Sequence, residues 1–340
     1  MKLPWTTRRR GRGRLVFARR EADVCWVHAE GARVLACGLE PHAASDDADT
    51  ARRARGLALP AAPATAVLPL GSCQLLQIEA PAVPPDELKA AARWAIKERI
   101  EGRLEDLTID VMHVGDGRAR SRGQLYVAAA ATREVQALAQ WSEAARVALD
   151  VIDIRETAQR NLQTAAMRAR GRPERASAML VVHGATALLT IAAGGELFHA
   201  RRLEWNPRWL DAPAAPGVEV GMQDPMTNYA DLDIVDYGAA DHAATGAQGE
   251  VAPIVLEMQR SLDVWDRSWP DLPLERLFVH APDSAEQGGT DALAKLLGVT
   301  LPLPVEALDV DALFPGLDQA CASSAVRHAV VPLLGALLRD

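Results

Sequence analysis

The order in which strand-like and helix-like segments follow one another is the feature of this sequence that most limits its fold. The strand-like segments of the first half are 14–20, 23–31, 32–39, 71–81, 107–116, 123–131 and 149–154. Helical patterns interrupt them at 84–102, after Thr132, which is expected to cap a helix, and at 155–169. Strands and helices that alternate in this way pack as layers, so the sequence predicts an α/β protein.

The second half continues the alternation. It begins with an apolar run over 178–205, in which Gly184 and a later Gly-Gly pair mark the turns between three expected antiparallel strands. An amphipathic helix over 252–269 follows. A strand, a helix and another strand over 299–305 then lead to a final helix from about residue 322. At 340 residues, the chain is long enough to build two lobes with separate cores.

Charge is distributed unevenly along the chain. The first 20 residues contain eight basic residues and no acid, so the remainder carries −16, because the whole chain carries −8. We expect residues 1–14 to form a flexible tail that is attracted to an anionic membrane surface. The membrane-surface candidates are Arg8, Arg9, Arg10, Arg12 and Arg14. A disordered solubilising tail is the alternative, whereas the acidic body disfavours binding to nucleic acid.

Other features of composition concern location and mobility. Residues 211–250 hold eight acids and no Lys or Arg, which predicts an exposed, mobile insertion. No stretch reaches the roughly 18 to 20 apolar residues of a membrane span, and the first residues lack the apolar centre of a secretory signal. The four cysteines contain no CxxC pair, which favours a reducing cytoplasm and gives no metal site.

The predicted helix at 84–102 carries an unusual tryptophan. Its inward stripe is expected to consist of Leu88, Ala91, Ala92, Ala95 and Ile96. Trp94 points away from this stripe, and its neighbours on the helix face are Ala90, Lys97 and Glu101. Trp94 either packs against the neighbouring lobe or under a loop, or it contributes to a surface that binds a partner.

Several motifs resemble one known family. These are "QLLQIEAPAVPPDELKAAARWAIKERIEGRLEDLTIDVMHV", "IDIRETAQRNL" and "LEMQRSLDVWDRSW", in this order, followed by the closing "LLGALLR". They are similar to blocks of the MshI proteins of mannose-sensitive haemagglutinin pilus biogenesis, which are related to the PilM proteins of type IV pili and the cytoplasmic part of GspL proteins. The resemblance implies a two-lobed, actin-like ATPase fold. Its first lobe would cover 15–170, with an inserted subdomain at 81–131. Its second lobe would cover 171–340, with the last helix returning to the first lobe.

The resemblance also indicates where a nucleotide would bind. Actin-like folds hold ATP with two glycine-containing hairpin turns that bear aspartates, and with a Gly-Gly turn after a later strand. The corresponding positions in this sequence are Arg19, Arg20, Val182, Gly184, Ala281 and Pro282. Because all three turns depart from the pattern, we expect a degenerate site, no catalytic residue and no bound metal or cofactor. Binding of ATP with Mg²⁺ is the alternative.

Relatives of the PilM type bind the short cytoplasmic N-terminal segment of a single-span inner-membrane protein, PilN, in a groove bordered by the inserted subdomain. The resemblance therefore implies a cytoplasmic scaffold at the bacterial inner membrane, with a PilN-like partner and contacts to pilus motor components. The alternatives are an active ATPase of the same machine and a component of a type II secretion platform.

Overall fold

The computed structural model describes residues 12–20, 22–41, 47–56, 59, 62–100, 102–115, 123–210, 252–282 and 289–339. Most of the predicted basic tail, residues 1–11, and the acidic segment 211–250 lie outside these residues. Within the described part of the chain, no helix is long and apolar enough to cross a membrane.

The first lobe is built on a five-stranded mixed sheet. Its strands are β1 (Arg14–Arg19), β2 (Asp23–Glu30), β3 (Arg33–Pro41), β4 (Pro63–Val67) and β8 (Ala148–Asp153), in the order β3-β2-β1-β4-β8. The first three strands form an antiparallel meander, whereas β4 is parallel to both β1 and β8. The central position of β4 was not predicted, and neither was α1 (Asp47–Gly56).

The second lobe contains a sheet of the same size. Its strands are β9 (Ala176–His183), β10 (Thr186–Ala193), β11 (Glu196–Glu204), β12 (Leu274–His280) and β13 (Val305–Ala307), in the order β11-β10-β9-β12-β13. The three antiparallel strands expected over 178–205 are present, and Gly184 has φ +67° in the β9–β10 turn. The strand predicted over 299–305 is wrong, because Val299 and Thr300 end a helix and β13 only begins at Val305.

A small subdomain is inserted in the first lobe. It consists of a three-stranded antiparallel sheet in the order β5-β7-β6, formed by β5 (Cys73–Glu79), β6 (Leu107–His113) and β7 (Gln124–Ala131). One face of this sheet is covered by helix α2 (Leu88–Ala95). The sheet therefore begins at Cys73, before residue 81, where the sequence had suggested that the subdomain starts.

Helix α2 is shorter than the predicted 84–102. Residues 85–87 form a turn before it, and turns continue it to Arg99, where backbone N–H groups bond carbonyls three residues back. Two consecutive prolines at 84 and 85 delay its start, since the residue before a proline avoids helical backbone angles. Similarly, Thr132 is the first residue of its helix, and Ala131 holds the capping position.

The remaining helices pack on the two large sheets. They are α3 (Thr132–Ala145), α4 (Arg155–Ala169), α5 (Pro253–Ser268), α6 (Thr290–Thr300), α7 (Val310–Leu313), α8 (Leu317–Ala320) and α9 (Ser324–Leu337). Helix α9 lies on the first-lobe sheet and against α4. The contact with α4 is close enough that a Cβ atom on Gly335 would lie 1.7 Å from the carbonyl oxygen of Ala158, so only glycine fits there.

The subdomain also contacts the second lobe. The Tyr126 hydroxyl donates to the carbonyl of Phe198 at 2.9 Å, and the N–H of Gly115 donates to Leu197 at 2.9 Å. Arg202 Nη2, on β11, donates to the carbonyl of Cys73 at 2.6 Å and to Glu156 at 2.9 Å. These hydrogen bonds attach the subdomain to the edge strand of the second lobe.

Candidate functional site

Three segments of the chain meet where the two lobes join, and we call this region the lobe junction. They are the β1–β2 turn after Arg20, the β9–β10 turn after His183 and the end of β12 at His280. Arg155, the first residue of α4, lies among them. Burial, and then the charges of Arg155 and His280, lower the pKa of His183, and Arg20 in turn is among the groups that act on Arg155.

Strand alternation decides which residues face this junction. Met179 and Val181 on β9, and Phe278 on β12, pack with α4 and α9, whereas Val182 and Ala281 belong to the core of the second lobe. His183 and His280 lie on the junction side of their strands, the same side as Val181 and Phe278, because side chains two residues apart share a face. The sequence assigned the acidic position of the motif to Val182, but His183 is the residue whose charge environment includes Arg155.

The other predicted positions are placed as follows. Arg20 forms two hydrogen bonds with Asp23, at 2.6 and 2.7 Å, which close the β1–β2 turn. Arg19 is half-buried beside it. Ala281 is fixed at the end of β12 because its backbone N–H and C=O both bond the Thr290 hydroxyl, and Pro282 is exposed.

Arg155 is the residue that the sequence analysis missed. It is only 7% exposed, and within the part of the chain that the structure describes neither its Nε nor its Nη1 has a hydrogen-bond partner. Because Arg155 is the first residue of α4, the positive end of the helix dipole repels its charge. Burial is also the main reason that its pKa is lowered. An arginine at the first position of a predicted helix was the available signal, because cations are disfavoured there.

Three described carboxylates around the junction are paired with arginines. Asp23 binds Arg20, Glu156 binds Arg202 at 2.9 Å, and Asp153 lies 3.4 Å from Arg339. Within the described ranges, no group of three or more His, Cys, Asp or Glu is placed to hold a metal ion. Burial, with the charge of Arg155 nearby, lowers the pKa of His183 to about 3, so its imidazole is neutral. Magnesium and nucleotide phosphate are held by unpaired carboxylates and glycine-rich backbone, whereas the described carboxylates named above are paired.

A second site lies between the first lobe and the subdomain, and we call it the groove. Its volume is about 1330 Å³. Its lining is formed by the ends of β1, the 67–72 link, the subdomain sheet and the first turns of α3: Arg19, Arg20, Ala22, Asp23, Val67, Leu68, Pro69, Leu70, Gly71, Ser72, Gln74, Leu107, Ala129, Ala131, Arg133, Glu134, Ala137 and Leu138.

The groove exists because α2 covers only part of the subdomain sheet. Ala92 and Ile96 pack over one end of the face that carries Leu76 and Val127. At the other end of the same face, Gln74 pairs with Ala129 and Leu107 pairs with Ala131. Alanine side chains are too small to fill the space between this end and α3. The sequence signal was the four-alanine run at 128–131 within a strand.

Trp94 is exposed and lies outside the groove lining. Its exposed fraction is 66%, and the ammonium of Lys97 lies 5.7 Å from the centre of its ring. Ala92 and Ile96 of the predicted stripe are fully buried and Ala91 is half-buried, but Ala95, the last residue of the helix, is exposed. Ala90 is also exposed, whereas Glu101 lies outside the described residues.

The membrane-surface candidates are only partly described. Arg8, Arg9 and Arg10 lie outside the described residues. Arg12 and Arg14 belong to the folded part, because the carbonyl of Arg12 contacts His28 Nε2 at 3.1 Å and the guanidinium of Arg14, in β1, bonds the carbonyl of Arg339. The predicted tail therefore ends before residue 12.

Two linked five-stranded sheets, with a helix returning from the second lobe to the first, define the actin-like ATPase fold. The chain is similar over 96% of its length to 99% of a chain of the PilM–PilN type IV pilus biogenesis complex, with 16% identity and a TM-score of 0.63. Similarity of this kind establishes the fold.

Two further solved structures are similar with lower scores. The cytoplasmic domain of EpsL, from the type II secretion system of Vibrio cholerae, matches with 16% identity over 58% of this chain and 72% of that one, with a TM-score of 0.41. A Bacteroides thetaiotaomicron protein with an actin-like ATPase fold and unknown function matches with 7% identity over 91% and 95%, with a TM-score of 0.47. No family model and no curated protein sequence matches the chain.

Proposed function

We propose that this protein is a cytoplasmic, non-catalytic scaffold of a type IV pilus assembly machine of the MSHA type, as the MshI-like motifs imply. In this role it binds the N-terminal segment of a PilN-like inner-membrane protein in the groove. The open groove is the observation that carries the proposal, since it lies in a chain with the fold of PilM, whose solved structure is a complex with PilN.

The groove suits an extended peptide segment. Its lining includes the apolar side chains of Leu107, Ala129 and Leu138, so apolar residues of a partner would be removed from water beside them. Its rim is polar: Arg20 is paired with Asp23, and Arg133 lies 3.8 Å from Glu134. An apolar centre with a polar rim is the usual composition of a specific protein interface.

The surface formed by Ala90, Trp94 and Lys97, which we call the Trp94 face, supports a second contact with the same partner. Helix α2 lies over the same sheet face whose open end forms the groove, and Arg93 bonds the carbonyl of Leu107 at the groove edge at 3.2 Å. A partner that continues beyond the groove would therefore pass close to the Trp94 face. Tryptophan is enriched among the residues that dominate binding energy at interfaces.

Two matched substitutions on α3 test the groove. Ala137 lines the groove, whereas Ala139 is exposed on the same helix and does not. Ala137→Phe should weaken binding of a synthetic N-terminal segment of the partner at least 10-fold in a calorimetric titration, because the new ring fills the groove. Ala139→Phe should leave the Kd unchanged. Equal affinities for both variants, with unchanged melting temperatures, would show that the segment binds elsewhere.

The basic N-terminal residues support a position close to the membrane. Deleting residues 1–11 should abolish salt-sensitive binding to vesicles that contain anionic lipid, while the melting temperature stays the same. The attraction is salt-sensitive because exposed charges are screened beyond about 8 Å at physiological ionic strength. Vesicle binding that survives the deletion would place the membrane contact on the folded part of the protein.

A further inference from the structure

Two cysteines that are distant in sequence meet at the edge of the first lobe. Cys37 lies in the edge strand β3, and Cys321 directly follows α8. Their Sγ atoms are 3.1 Å apart, although 284 positions separate the two residues along the chain. Both cysteines are half-buried.

The backbone around Cys321 is fixed against β3. The N–H of Val34 donates to the carbonyl of Pro315 at 2.9 Å, so the segment that leads into α8 continues the hydrogen bonding of the sheet edge. Gly316 has φ +89°, and a Cβ atom there would lie 2.6 Å from the carbonyl oxygen of Val34. After Cys321, the Ser323 hydroxyl accepts from the N–H of Val326 and caps α9. The two sulfurs are therefore held together by the surrounding fold.

We propose that Cys37 and Cys321 form a reversible intramolecular disulfide, and that the oxidant is a small-molecule disulfide such as oxidised glutathione. A bond of about 2.05 Å requires the sulfur atoms to approach by roughly 1 Å. This site is separate from both the groove and the lobe junction, and it goes beyond the proposed scaffold function.

The two thiols differ in how readily they ionise. Burial, followed by the hydrogen bond with Cys321, raises the pKa of Cys37 to about 12. Burial also raises the pKa of Cys321, but the hydrogen bond from Cys37 and the charge of Arg327 on α9 oppose this rise. Asp311 on α7 and Asp318 on α8 act in the other direction, and Arg327 Nη1 is bonded to Asp311 at 2.9 Å. Cys321 is therefore the attacking thiol and Cys37 the resolving thiol.

The exchange proceeds in two balanced steps. The Cys321 thiolate attacks one sulfur of the external disulfide, which forms a mixed disulfide and releases one small thiolate. Cys37 then loses its proton to that thiolate or to water and attacks the Cys321 sulfur, which releases the second small thiol. One external disulfide is reduced to two thiols, and the two protein thiols are oxidised to one disulfide.

The disulfide would join the edge of the first lobe to the segment that leads into α9. This helix packs against α4, where Asn161 Nδ2 donates to the carbonyl of Gly335 at 3.1 Å. Because the bond closes a very long loop of the unfolded chain, the oxidised protein should be the more stable form. Cys25 and Cys73 are the matched internal controls, since both are buried away from this pair.

The test uses the full chain, treated with oxidised glutathione at pH 8 and measured by intact mass under non-reducing conditions. We expect a loss of two hydrogen atoms, peptide mapping to Cys37 and Cys321, and a melting temperature raised by several degrees that dithiothreitol restores. Cys37→Ser should accumulate the glutathione adduct on Cys321, whereas Cys321→Ser should remain unmodified. An unchanged mass in the native protein, or a bond that involves Cys25 or Cys73, would overturn the proposal.

Discussion

The lobe junction and the groove lie close together, since Arg20 belongs to both, but they are built in opposite ways. At the junction, the described carboxylates are paired, and two nitrogen atoms of the buried Arg155 guanidinium have no hydrogen-bond partner among the described residues. The groove is lined by both apolar and polar side chains and has an open volume of about 1330 Å³. The comparison shows that two neighbouring regions of one fold can differ in charge and in open volume: ion pairs and a buried guanidinium characterise the junction, and open space characterises the groove.

The largest expected difference between the two regions concerns pH. His183 at the junction and His199 on β11 have fully buried Nε2 atoms, and burial lowers their pKa values to about 3 and about 4. The unfolded chain takes up these protons below its pKa of about 6.5, so stability is complete above that value and decreases as the pH falls. Between pH 8 and pH 5, each histidine should lower the free energy of unfolding by about 2 kcal/mol. Urea denaturation at the two pH values measures this change.

The matching control is the double variant His183→Gln/His199→Gln, which should lose most of the difference between pH 8 and pH 5. The described lining of the groove contains no histidine, so the affinity of the groove for the partner segment should not follow this pH dependence. A native protein equally stable at both pH values would show that these imidazoles are accessible to protons.

Removing the junction charge should stabilise the protein. Arg155→Met replaces a buried guanidinium, two of whose nitrogen atoms have no partner in the described part of the chain, by an apolar side chain of similar length, and we expect the free energy of unfolding to rise by about 2 kcal/mol. Arg260→Met on α5 is the control, since Arg260 is 69% exposed and its pairing with Glu257 contributes little. Thermal denaturation of both variants measures the effect.

The same measurement in millimolar Mg-ATP should leave the native melting temperature unchanged, because a ligand stabilises only the folded state that binds it. A destabilised Arg155→Met protein, together with stabilisation of the native protein by ATP or inorganic phosphate, would show that Arg155 holds an anion and that the junction remains a binding site.

The Trp94 face gives the smallest predicted effect on binding. Trp94→Ala should weaken binding of a long partner segment by about 2 kcal/mol, as is usual for residues that dominate an interface. A short segment confined to the groove should bind both proteins equally. Unchanged affinity for the long segment would limit the interface to the groove. A lower melting temperature would show instead that the indole stabilises the fold, although 66% of it is exposed.

The regular elements of this fold followed from local patterns. The antiparallel strands of the second lobe were predictable because apolar runs are separated by glycines that adopt positive φ, as Gly184 does. In contrast, β4 was not recognised, because five residues of a buried central strand carry no alternation of polar and apolar side chains. The predicted end of α2 was also wrong. The helix stops at Ala95 and turns follow it, and this end depends on packing against the sheet, which the local sequence does not display.

The sequence by itself determined the layered α/β architecture, while the resemblance to a known family implied the inserted subdomain. The sequence left open whether Trp94 packs against a neighbouring part of the protein or is exposed. Only the tertiary structure decided that His183 is the residue beside Arg155, that two buried nitrogen atoms of Arg155 have no partner among the described residues, and that small alanines leave a groove beside α3. Periodicity and turn chemistry are local properties that a sequence displays directly. The environment of a side chain depends on which distant strands and helices surround it, and that is fixed only when the lobes and the subdomain pack together.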